Sequence, residues 1–488
     1  MLGSMFDWVI GNCRILEGSH SQDGRYGFVA ITGDRIATIS ETHPGTAARE
    51  IDGHGLVLAP GFIDVHTHDD LAVIQKPEML PKISQGVTTV IAGNCGISAS
   101  PATLRNNHLP DPMNLLGAAE TFIYSDFQSY AKAVSKARPA VNIASLAGHT
   151  TLRNNAMTDL SRPANVSELH QMIQHLDEAM AQGAIGLSTG LAYANARQAP
   201  ASEIQRLLEV VARYSGIYTT HLRNEFESIL EAMDEAIEVA RSTGVPLVIS
   251  HHKVAGRKNW GRTTQTIEKL QQASDQHEIA CDCYPYSASS STLDLGQVTP
   301  DIKIFISWSD PMPEHAGKYL QDIANEIGVS LLEAAEKLMP AGAIYHCMDP
   351  EDVERVLKWK FTMIGSDGLP CDPFPHPRLH GTFPRVIGRL RRERNLFDLT
   401  TAVHKATGLA ATRFRLNERG FIRTGYFADL VLFDEQRLID RADFESPRLL
   451  SEGISAVWVN GGLAWSGEDF PVHLKSTGRF GRMLIRKD

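Results

Sequence analysis

Eight short apolar segments, separated by longer amphipathic stretches, constrain the fold of this chain of 488 residues more than any other feature. The stretches between them, such as Val166–Ala181 and Ile229–Arg241, carry apolar residues at the spacing of one helix face. Eight strands that alternate with helices predict an α/β fold of the (β/α)8 TIM-barrel type, although an open doubly wound sheet would show similar local patterns. The predicted strands are Phe62–His66, Thr88–Ala92, Asn142–Leu146, Ala184–Ser188, Ile217–His221, Pro246–Ser250, Ile279–Cys283 and Thr362–Ser366.

The regions before and after this alternating part have β character. Residues 1–60 contain short strand-like runs with a hairpin turn at Gly33-Asp34, and residues 416–488 contain further runs of the same kind. We expect the two regions to form one small β-sandwich, with the barrel of residues 61–415 inserted between them. The segment at about 287–343 is too long for an ordinary strand-to-helix connection, so we expect an insertion over the barrel mouth that could act as a lid.

Composition excludes several classes of protein. Hydrophobic residues make up 43% and charged residues 21%, which is typical of a chain with a large core. A net charge of −10 argues against a nucleic-acid partner. No apolar run approaches the roughly 18 residues of a membrane span, and the N-terminus lacks the basic and apolar regions of a signal peptide. Six cysteines in so long a chain do not indicate a disulfide scaffold, so we expect a cytoplasmic protein without a membrane partner.

Potential metal ligands follow five of the predicted strands. In a TIM barrel the functional side chains lie at the carboxyl ends of the strands, and histidine, cysteine and carboxylate groups are the usual ligands of zinc. Their clustering at these ends predicts a metal site. The candidates are His66 and His68 after strand one, Cys95 after strand two, His221 at the end of strand five, His251 after strand six and Asp367 after strand eight.

The neighbours of these candidates leave some roles open. Side chains alternate along a strand, so His251 shares a face with Lys253 while His252 takes the opposite face. Cys95 could bridge two metals, ligate one, or pack as a small apolar residue. His149, after strand three, could polarise a substrate or donate to a backbone carbonyl. The better interpretation of Cys281 and Cys283 is core packing.

Asp367 precedes a Gly-Leu-Pro turn at the end of the last strand. An aspartate in this place could simply cap the turn. Alternatively it could face a metal centre, take a proton from a water activated by the metal and pass it to a leaving amine. The second alternative makes Asp367 both a ligand and the catalytic residue.

The order of these motifs resembles that of the amidohydrolase superfamily. Within it the chain is similar to the N-acyl-D-amino-acid deacylase (D-aminoacylase) family, in which a cysteine replaces the usual bridging carboxylated lysine. The motifs that carry the resemblance are Phe62-Ile63-Asp64-Val65-His66-Thr67-His68-Asp69-Asp70, Asn94-Cys95-Gly96, Thr219-Thr220-His221-Leu222-Arg223-Asn224-Glu225, Ser250-His251-His252-Lys253 and Gly365-Ser366-Asp367-Gly368.

This resemblance implies zinc-dependent hydrolysis of the amide bond of a small N-acyl-D-amino acid. It implies one tightly held zinc on Cys95, His221 and His251, and a second site on His66, His68 and Asp367 that can be weak or empty. Arg378 resembles the arginine that grips the substrate α-carboxylate, for which a guanidinium fork is well suited. The resemblance further implies that Lys253 and Tyr284 help to hold that carboxylate, and that Tyr193 and Ser290 line the pocket.

The run Tyr284–Asp294 and the chain length look most like those of N-acyl-D-glutamate deacylases, so the expected substrate is an N-acyl-D-glutamate. Its serines could donate hydroxyl hydrogen bonds to a γ-carboxylate. The alternatives are a deacylase for neutral D-amino acids and a cyclic-amide hydrolase of the dihydropyrimidinase type. The latter would need a carboxylated lysine bridge where this chain has Cys95. A scaffold protein that keeps the fold without its metals is a further alternative, but such relatives usually lack ligands that are all present here.

Overall fold

Both ends of the chain contribute strands to one eight-stranded sheet in the computed structural model, which describes residues 5–20, 24–104, 109–474 and 477–486. Residues 1–4, part of the segment from which the absence of a signal peptide was predicted, lie outside the described residues. The two ends meet where Val57–Pro60 pairs antiparallel with Leu430–Phe433. The strands of this terminal sheet are Phe6–Ile15, Arg25–Thr32, Arg35–Ser40, Ala47–Asp52, Val57–Pro60, Leu430–Phe433, Ile454–Val459 and Gly462–Ser466.

The terminal sheet curves around a core of its own. Trp8 and Trp458 pack edge to face with ring centroids 5.6 Å apart, although two strands lie between their own strands in the sheet. Neighbouring strands are about 4.8 Å apart, so a flat sheet would separate these positions by roughly 14 Å. The sheet therefore bends, and apolar residues such as Ile10, Leu58 and Leu432 fill the enclosed space.

The middle of the chain forms the predicted (β/α)8 barrel, and all eight predicted strands are present with ends shifted by a few residues. Strand three is interrupted at Leu146. The barrel closes between strands eight and one through a parallel bridge from Thr67 to Gly368 and a 2.8 Å hydrogen bond from Asp367 N to His66 O. The strands are Phe62–Asp64, Val87–Ala92, Asn142–Ser145 with Ala147–Gly148, Gly186–Gly190, Ile217–His221, Leu247–Ile249, Ile279–Cys283 and Thr362–Ile364.

Amphipathic helices surround the barrel. Val166–Ala181 has the bounds that the sequence predicts, because Asn165 and Glu168 form a reciprocal capping box at its start. Ile229–Thr243 ends at Gly244, whose φ of 71° suits glycine. The helices are Ala72–Gln75, Leu80–Ile83, Phe127–Ala137, His149–Ala156, Val166–Ala181, Ala201–Arg213, Ile229–Thr243, Thr263–Ser274, Leu320–Ile327, Leu331–Leu338, Pro350–Lys358, Arg378–Pro384 continuing through a π-helical turn Arg385–Leu390 to Arg391–Arg394, Leu399–Ala406 and Gly408–Arg413.

The segment after strand seven folds as a separate antiparallel sheet at the carboxyl end of the barrel. Its four strands pair in the order Ser289–Thr292, Ala341–Tyr345, Ile304–Ser309 and Lys318–Tyr319. The carbonyl of Cys347 accepts hydrogen bonds from Gly256 N at 2.9 Å and Trp260 Nε1 at 3.1 Å, which joins this sheet to the loop after strand six. Among the helices described, none is both long and apolar enough to cross a bilayer.

Candidate functional site

Two groups of metal-ligand side chains meet at the carboxyl end of the barrel, and Cys95 belongs to both. Within each group the ligand atoms all lie within 4.8 Å of one another. The structure thus brings together all six residues that the sequence predicts as metal ligands. The first group is His66, His68, Cys95 and Asp367, and the second is Cys95, His221 and His251.

Three of these residues have left-handed backbone conformations. Cys95, His251 and Asp367 have φ values of 54°, 35° and 50°, a region that residues other than glycine rarely adopt. Strained conformations of this kind persist where the surrounding structure fixes them, and they are concentrated at functional sites. Here the chain turns sharply at the end of strands two, six and eight, which directs the three side chains over the barrel mouth.

The turn that carries Cys95 packs closely against its neighbours. Gly93 and Gly96 on either side have φ values of 77°. A Cβ atom would lie 2.2 Å from Leu146 O at Gly93 and 2.7 Å from Gly190 N at Gly96. The two glycines therefore allow the backbone of this turn to pack closely, which places the Cys95 thiol between the histidines that follow strands one and six.

His66 and His68 converge on the site, but not because they lie on one strand. Strand one ends at Asp64, and the two histidines belong to the turn that follows. His66 Nε2 lies 3.2 Å from Cys95 Sγ, and His68 Nε2 lies 3.1 Å from Asp367 Oδ1. The turn after strand one, and not the alternation of side chains along a strand, therefore brings both histidines to one side of the site.

Two carboxylates orient the histidines from behind, and sequence reasoning missed both. Asp282 Oδ2 lies 3.2 Å from His66 Nδ1, and Glu225 Oε1 lies 3.1 Å from His251 Nδ1. Carboxylates that accept from the outer nitrogen of a histidine fix its tautomer and orientation toward a metal. The available signal was strand alternation, since Asp282 faces opposite to its two cysteine neighbours in strand seven.

The site favours anionic forms of its thiol and of its carboxylate. Burial would raise the pKa of Cys95, but the charges of His66 and His251 hold that pKa well below its usual range. Burial would likewise raise the pKa of Asp367, and the Arg378 guanidinium together with His66 holds it well below its usual range. A thiolate rather than a thiol is the metal-binding form of cysteine.

These residues fit a zinc ion. Two histidines and a thiolate are an ordinary zinc donor set. The Nδ1 atom of His221 is buried and has no hydrogen-bond partner among the residues that the structure describes, and its Nε2 faces Glu225 Oε2 at 3.5 Å. His251 Nε2 points at Cys95 Sγ from 3.3 Å. A buried nitrogen of this kind, close to the Cys95 sulfur, is suited to coordinate a metal ion.

Next to the metal ligands lies a buried pocket wall with unsatisfied donors. Arg378 is fully buried, stacks its guanidinium 4.5 Å from the Tyr284 ring centroid, and places Nη1 2.9 Å from Asp367 Oδ2. Its Nη2 donates to Ser290 O at 3.1 Å. Arg378 Nε and the hydroxyls of Tyr284 and Ser290 are buried without a partner among the described residues. Unpaired buried donors are costly, so their clustering indicates a place for an anionic ligand.

Lys253 and Tyr193 lie beside the second ligand group. Lys253 Nζ donates to Glu225 Oε1 at 2.7 Å and lies 2.9 Å from His251 Nδ1, on the face that alternation predicts. The Tyr193 ring lies 5.0 Å from the ring of His221, and its hydroxyl is 3.3 Å from Ser291 Oγ. Both residues are therefore placed where they could contact a molecule bound at the metal ligands.

His149 belongs to a different network. Its Nε2 lies 2.8 Å from Glu203 Oε1, which also binds the buried Arg153 at 2.6 Å. Burial, the largest cause, lowers the pKa of His149, and the Glu203 contact only partly offsets it. The described hydrogen bond of His149 thus leads to a helix outside the barrel, and its role toward substrate stays a prediction. His252 similarly bonds Thr266 at 2.8 Å, on the outer face.

The sequence matches the model of the Amidohydrolase family over residues 49–295 and 322–463. Three proteins of Alcaligenes xylosoxydans xylosoxydans are similar over nearly their full length. A D-aminoacylase is 44% identical across 99% of this chain and 98% of its own. An N-acyl-D-aspartate deacylase is 43% identical across 95% and 92%, and an N-acyl-D-glutamate deacylase is 41% identical across 92% and 92%.

Solved structures of such enzymes have the same fold. A D-aminoacylase structure that addresses the role of its binuclear metal center is 43% identical, with a TM-score of 0.94 over 99% of this chain and 100% of that one. The N-acyl-D-glutamate deacylase of Bordetella bronchiseptica, complexed with zinc and a phosphonate mimic of the tetrahedral intermediate, is 40% identical with the same TM-score and coverage.

Proposed function

Because this chain belongs to the amidohydrolase family, we propose that its site hydrolyses the amide bond of N-acyl-D-amino acids with the help of zinc. The observation that carries the proposal is the position of Cys95, whose thiol is shared by two groups of metal ligands. The relatives with 41–44% identity are deacylases of N-acyl-D-amino acids or D-aminoacylases, which supports the same reaction.

In this proposal Cys95, His221 and His251 hold one zinc tightly, while His66, His68 and Asp367 form a weaker second site. The outer carboxylates support the ranking, because Glu225 contacts both histidines of the second group, His221 and His251. When bound, zinc supplies Lewis-acid polarisation of the scissile carbonyl and lowers the pKa of a bound water to about 7.

Asp367 moves the proton of the reaction. Its buried carboxylate is ionised, since the neighbouring guanidinium of Arg378 and the charge of His66 lower its pKa. It can therefore accept a proton from the attacking water and give it to the departing amine nitrogen. The Arg378 contact at 2.9 Å keeps the carboxylate aimed into the site.

The unpartnered donors beside Asp367 hold the substrate α-carboxylate. Arg378 Nε and the Tyr284 hydroxyl are buried and have no hydrogen-bond partner in the described part of the chain, so they are free to donate. Lys253 adds positive charge from the loop after strand six. An acyl carbonyl fixed at the metal ligands and a carboxylate fixed at Arg378 leave one direction for the side chain, which is how the site would select the D-configuration.

For the side chain, the sequence favours glutamate through the serine run. Within the described part of the chain, Ser290 is the serine of that run whose buried hydroxyl has no hydrogen-bond partner, whereas the Ser289 hydroxyl lies 3.5 Å from Cys347 Sγ. If Ser290 binds a γ-carboxylate, Ser290→Ala should lower kcat/KM for N-acetyl-D-glutamate about tenfold more than for N-acetyl-D-leucine. Ser289→Ala is the matched control. An equal loss on both substrates would remove the support for glutamate.

The experiment that tests the reaction is release of free amino acid by the purified, zinc-loaded chain. We expect turnover of N-acetyl-D-glutamate or N-acetyl-D-leucine, none of N-acetyl-L-glutamate, loss on chelation and recovery on addition of zinc. Turnover of dihydrouracil instead, by protein shown to hold zinc, would favour the cyclic-amide alternative. Hydrolysis of the L-substrate at the same rate would contradict the proposed carboxylate site.

We also propose a cytoplasmic location. All six cysteines are free thiols in the structure, and five of them are buried. Unpaired cysteines are usual in a reducing compartment.

A further inference from the structure

We propose that Lys82 is a positioning residue for the first ligand group, because it joins the turns that carry His66, His68 and Asp367. Lys82 lies in the short helix Leu80–Ile83 between strands one and two, and its side chain is fully buried. Its described hydrogen bonds and ion pairs lead to Asp64, Asp69 and Ser366 and not to the ligand atoms. The inference rests on the metal binding proposed above.

The ammonium group of Lys82 contacts both sides of the barrel closure. On the strand-one side, Nζ lies 2.8 Å from Asp64 Oδ2 and 3.3 Å from Asp69 Oδ2. On the strand-eight side, it donates to Ser366 Oγ at 2.7 Å. Asp64 and Asp69 flank the two histidines in sequence, and Ser366 directly precedes Asp367, so one cation connects three points around the first ligand group.

The same partners are linked to each other. Asp64 Oδ1 accepts from Ser366 N at 2.8 Å, and Ser366 Oγ accepts from Gly368 N at 3.2 Å. Regular pairing ends at Asp64 in strand one and at Ile364 in strand eight, leaving the single Thr67–Gly368 bridge beyond them. Hydrogen bonds of side chains therefore help to fix the two turns that follow the last paired residues of strands one and eight.

The buried position of the cluster favours a cation among its carboxyl groups. Asp64 and Asp69 have 0% and 1% of their surface exposed, and a buried charged group is costly unless an opposite charge lies next to it. The ammonium donates hydrogen bonds to Asp64 Oδ2 and Ser366 Oγ, and it lies 3.3 Å from Asp69 Oδ2 as an ion pair. Through its charge and its directed hydrogen bonds, Lys82 thus fixes the turn that carries His66 and His68 relative to the turn that carries Asp367.

A second buried lysine provides a control that distinguishes an effect on the ligand turns from an effect on the stability of the whole fold. Lys405 has 2% exposure and donates to the carbonyls of Trp359 and Thr362, at the opposite end of strand eight. It contacts no carboxylate that flanks a ligand. Lys405→Met and Lys82→Met both remove a buried ammonium, but only the second removes it from the ligand turns.

The test measures binding of Co²⁺ and of Zn²⁺ to the full-length, metal-stripped protein, with elemental analysis for the total. The thiolate–cobalt absorption band reports the ion held by Cys95. Ser366→Ala, which keeps the charges of the cluster, is the primary variant in case Lys82→Met does not fold. We expect both variants to lower the affinity for the weaker ion, held by His66, His68 and Asp367, by about 10- to 100-fold. The affinity for the tighter ion, held by Cys95, His221 and His251, should change by less than about threefold.

Lys405→Met should leave both affinities within about threefold of the wild type. Equal affinities for the second ion in wild type and in folded Ser366→Ala and Lys82→Met overturn the inference, and so does a wild type that takes up only one ion. Equal weakening by Lys405→Met would also overturn it, since the effect would then be one of general stability. A protein that binds two ions but cleaves no N-acyl-D-amino acid would overturn the proposed reaction and leave this inference standing.

Discussion

The two ends of the barrel differ in the polarity of their buried side chains. At the carboxyl end, buried histidine, cysteine, lysine and carboxylate groups lie within hydrogen-bond distance of one another, and three of them have strained backbones. Toward the amino end, the interior is apolar. Inward side chains such as Ile63, Ile217 and Met363 form one cluster, against which Leu409 and Phe414 from the region of the last helix pack.

This difference teaches which residues should matter for chemistry and which for stability. Apolar burial gains free energy roughly in proportion to area and tolerates changes of shape. A buried polar cluster depends on every partner, because each unpaired charge or donor is costly. Changes at the carboxyl end should therefore act on activity, and changes at the amino end on the free energy of unfolding.

The largest expected effect comes from Cys95. Cys95→Ala should abolish binding of the tightly held zinc and lower kcat/KM by at least about 10³-fold, because the thiolate belongs to both ligand groups. Cys281→Ala is the matched control, since that thiol is also fully buried but lies in the core, where burial raises its pKa to about 12. Zinc content and steady-state kinetics check both. Loss of zinc from Cys281→Ala would break the comparison.

The next effect comes from the proposed proton carrier. Asp367→Asn keeps the shape of the side chain but removes its basicity, so kcat should fall by about 10²- to 10⁴-fold. The tightly held zinc should stay bound. The measurement is kcat together with zinc content. A variant with normal kcat would show that another group moves the proton.

An intermediate effect is expected from the carboxylates behind the histidines. Asp282→Asn and Glu225→Gln should each lower metal affinity by about 10- to 100-fold, because they release the outer nitrogens of His66 and His251. Binding of Co²⁺ measures the change. Since Glu225 contacts both histidines of the second group, its variant should affect the tighter ion, which that group holds with Cys95. A larger effect on the weaker ion would contradict the assignment of sites.

A still smaller effect on activity is expected at the amino end. Phe414 is 2% exposed in the apolar cluster, so Phe414→Ala should lower the free energy of unfolding by about 3–5 kcal/mol. At a temperature where the variant stays folded, kcat/KM should remain within about threefold of the wild type. Denaturant unfolding and kinetics check the two halves, and a large loss of kcat/KM in folded protein would show that the ends are coupled.

The smallest effect concerns pH. Burial raises the pKa of Asp372, in the loop after strand eight, to about 7. Because the folded state binds this proton more tightly than the unfolded state does, stability should fall as pH rises from about 4 to about 7. Asp372→Asn should flatten the fall of the unfolding midpoint between pH 5 and 7 in zinc-loaded protein. Lys405→Met should not, since burial lowers the pKa of Lys405 only to about 8. An unchanged slope in the aspartate variant would contradict the assignment.

Much of the fold could be predicted because the barrel repeats one local pattern. Each strand is a short apolar run, and helices such as Val166–Ala181 carry their own caps. The bounds differ mainly at the carboxyl ends of strands, where the sequence predicts strand to His66 but pairing stops at Asp64. There the side chains of Asp64 and Lys82 take over the hydrogen bonding that a longer ladder would have provided.

The candidate site could be predicted to the level of residue type and order. All six predicted ligands come together, because the carboxyl ends of parallel barrel strands share one rim. The sequence alone did not predict that Asp282 and Glu225 orient the histidines, nor the role of Lys82. An aspartate between two cysteines, or a lysine after a proline, looks like many others until its partner on a distant strand is known.

The sequence by itself determined the barrel, the ligand types and their order around the rim, since these follow from periodicity and from the chemistry of single side chains. Only the tertiary structure decided which charges meet. It paired Lys82 with two carboxylates, aimed Arg378 at Asp367, and directed His149 to Glu203. Electrostatic pairing depends on distances of a few ångströms between residues far apart in the chain, and no local pattern encodes those distances.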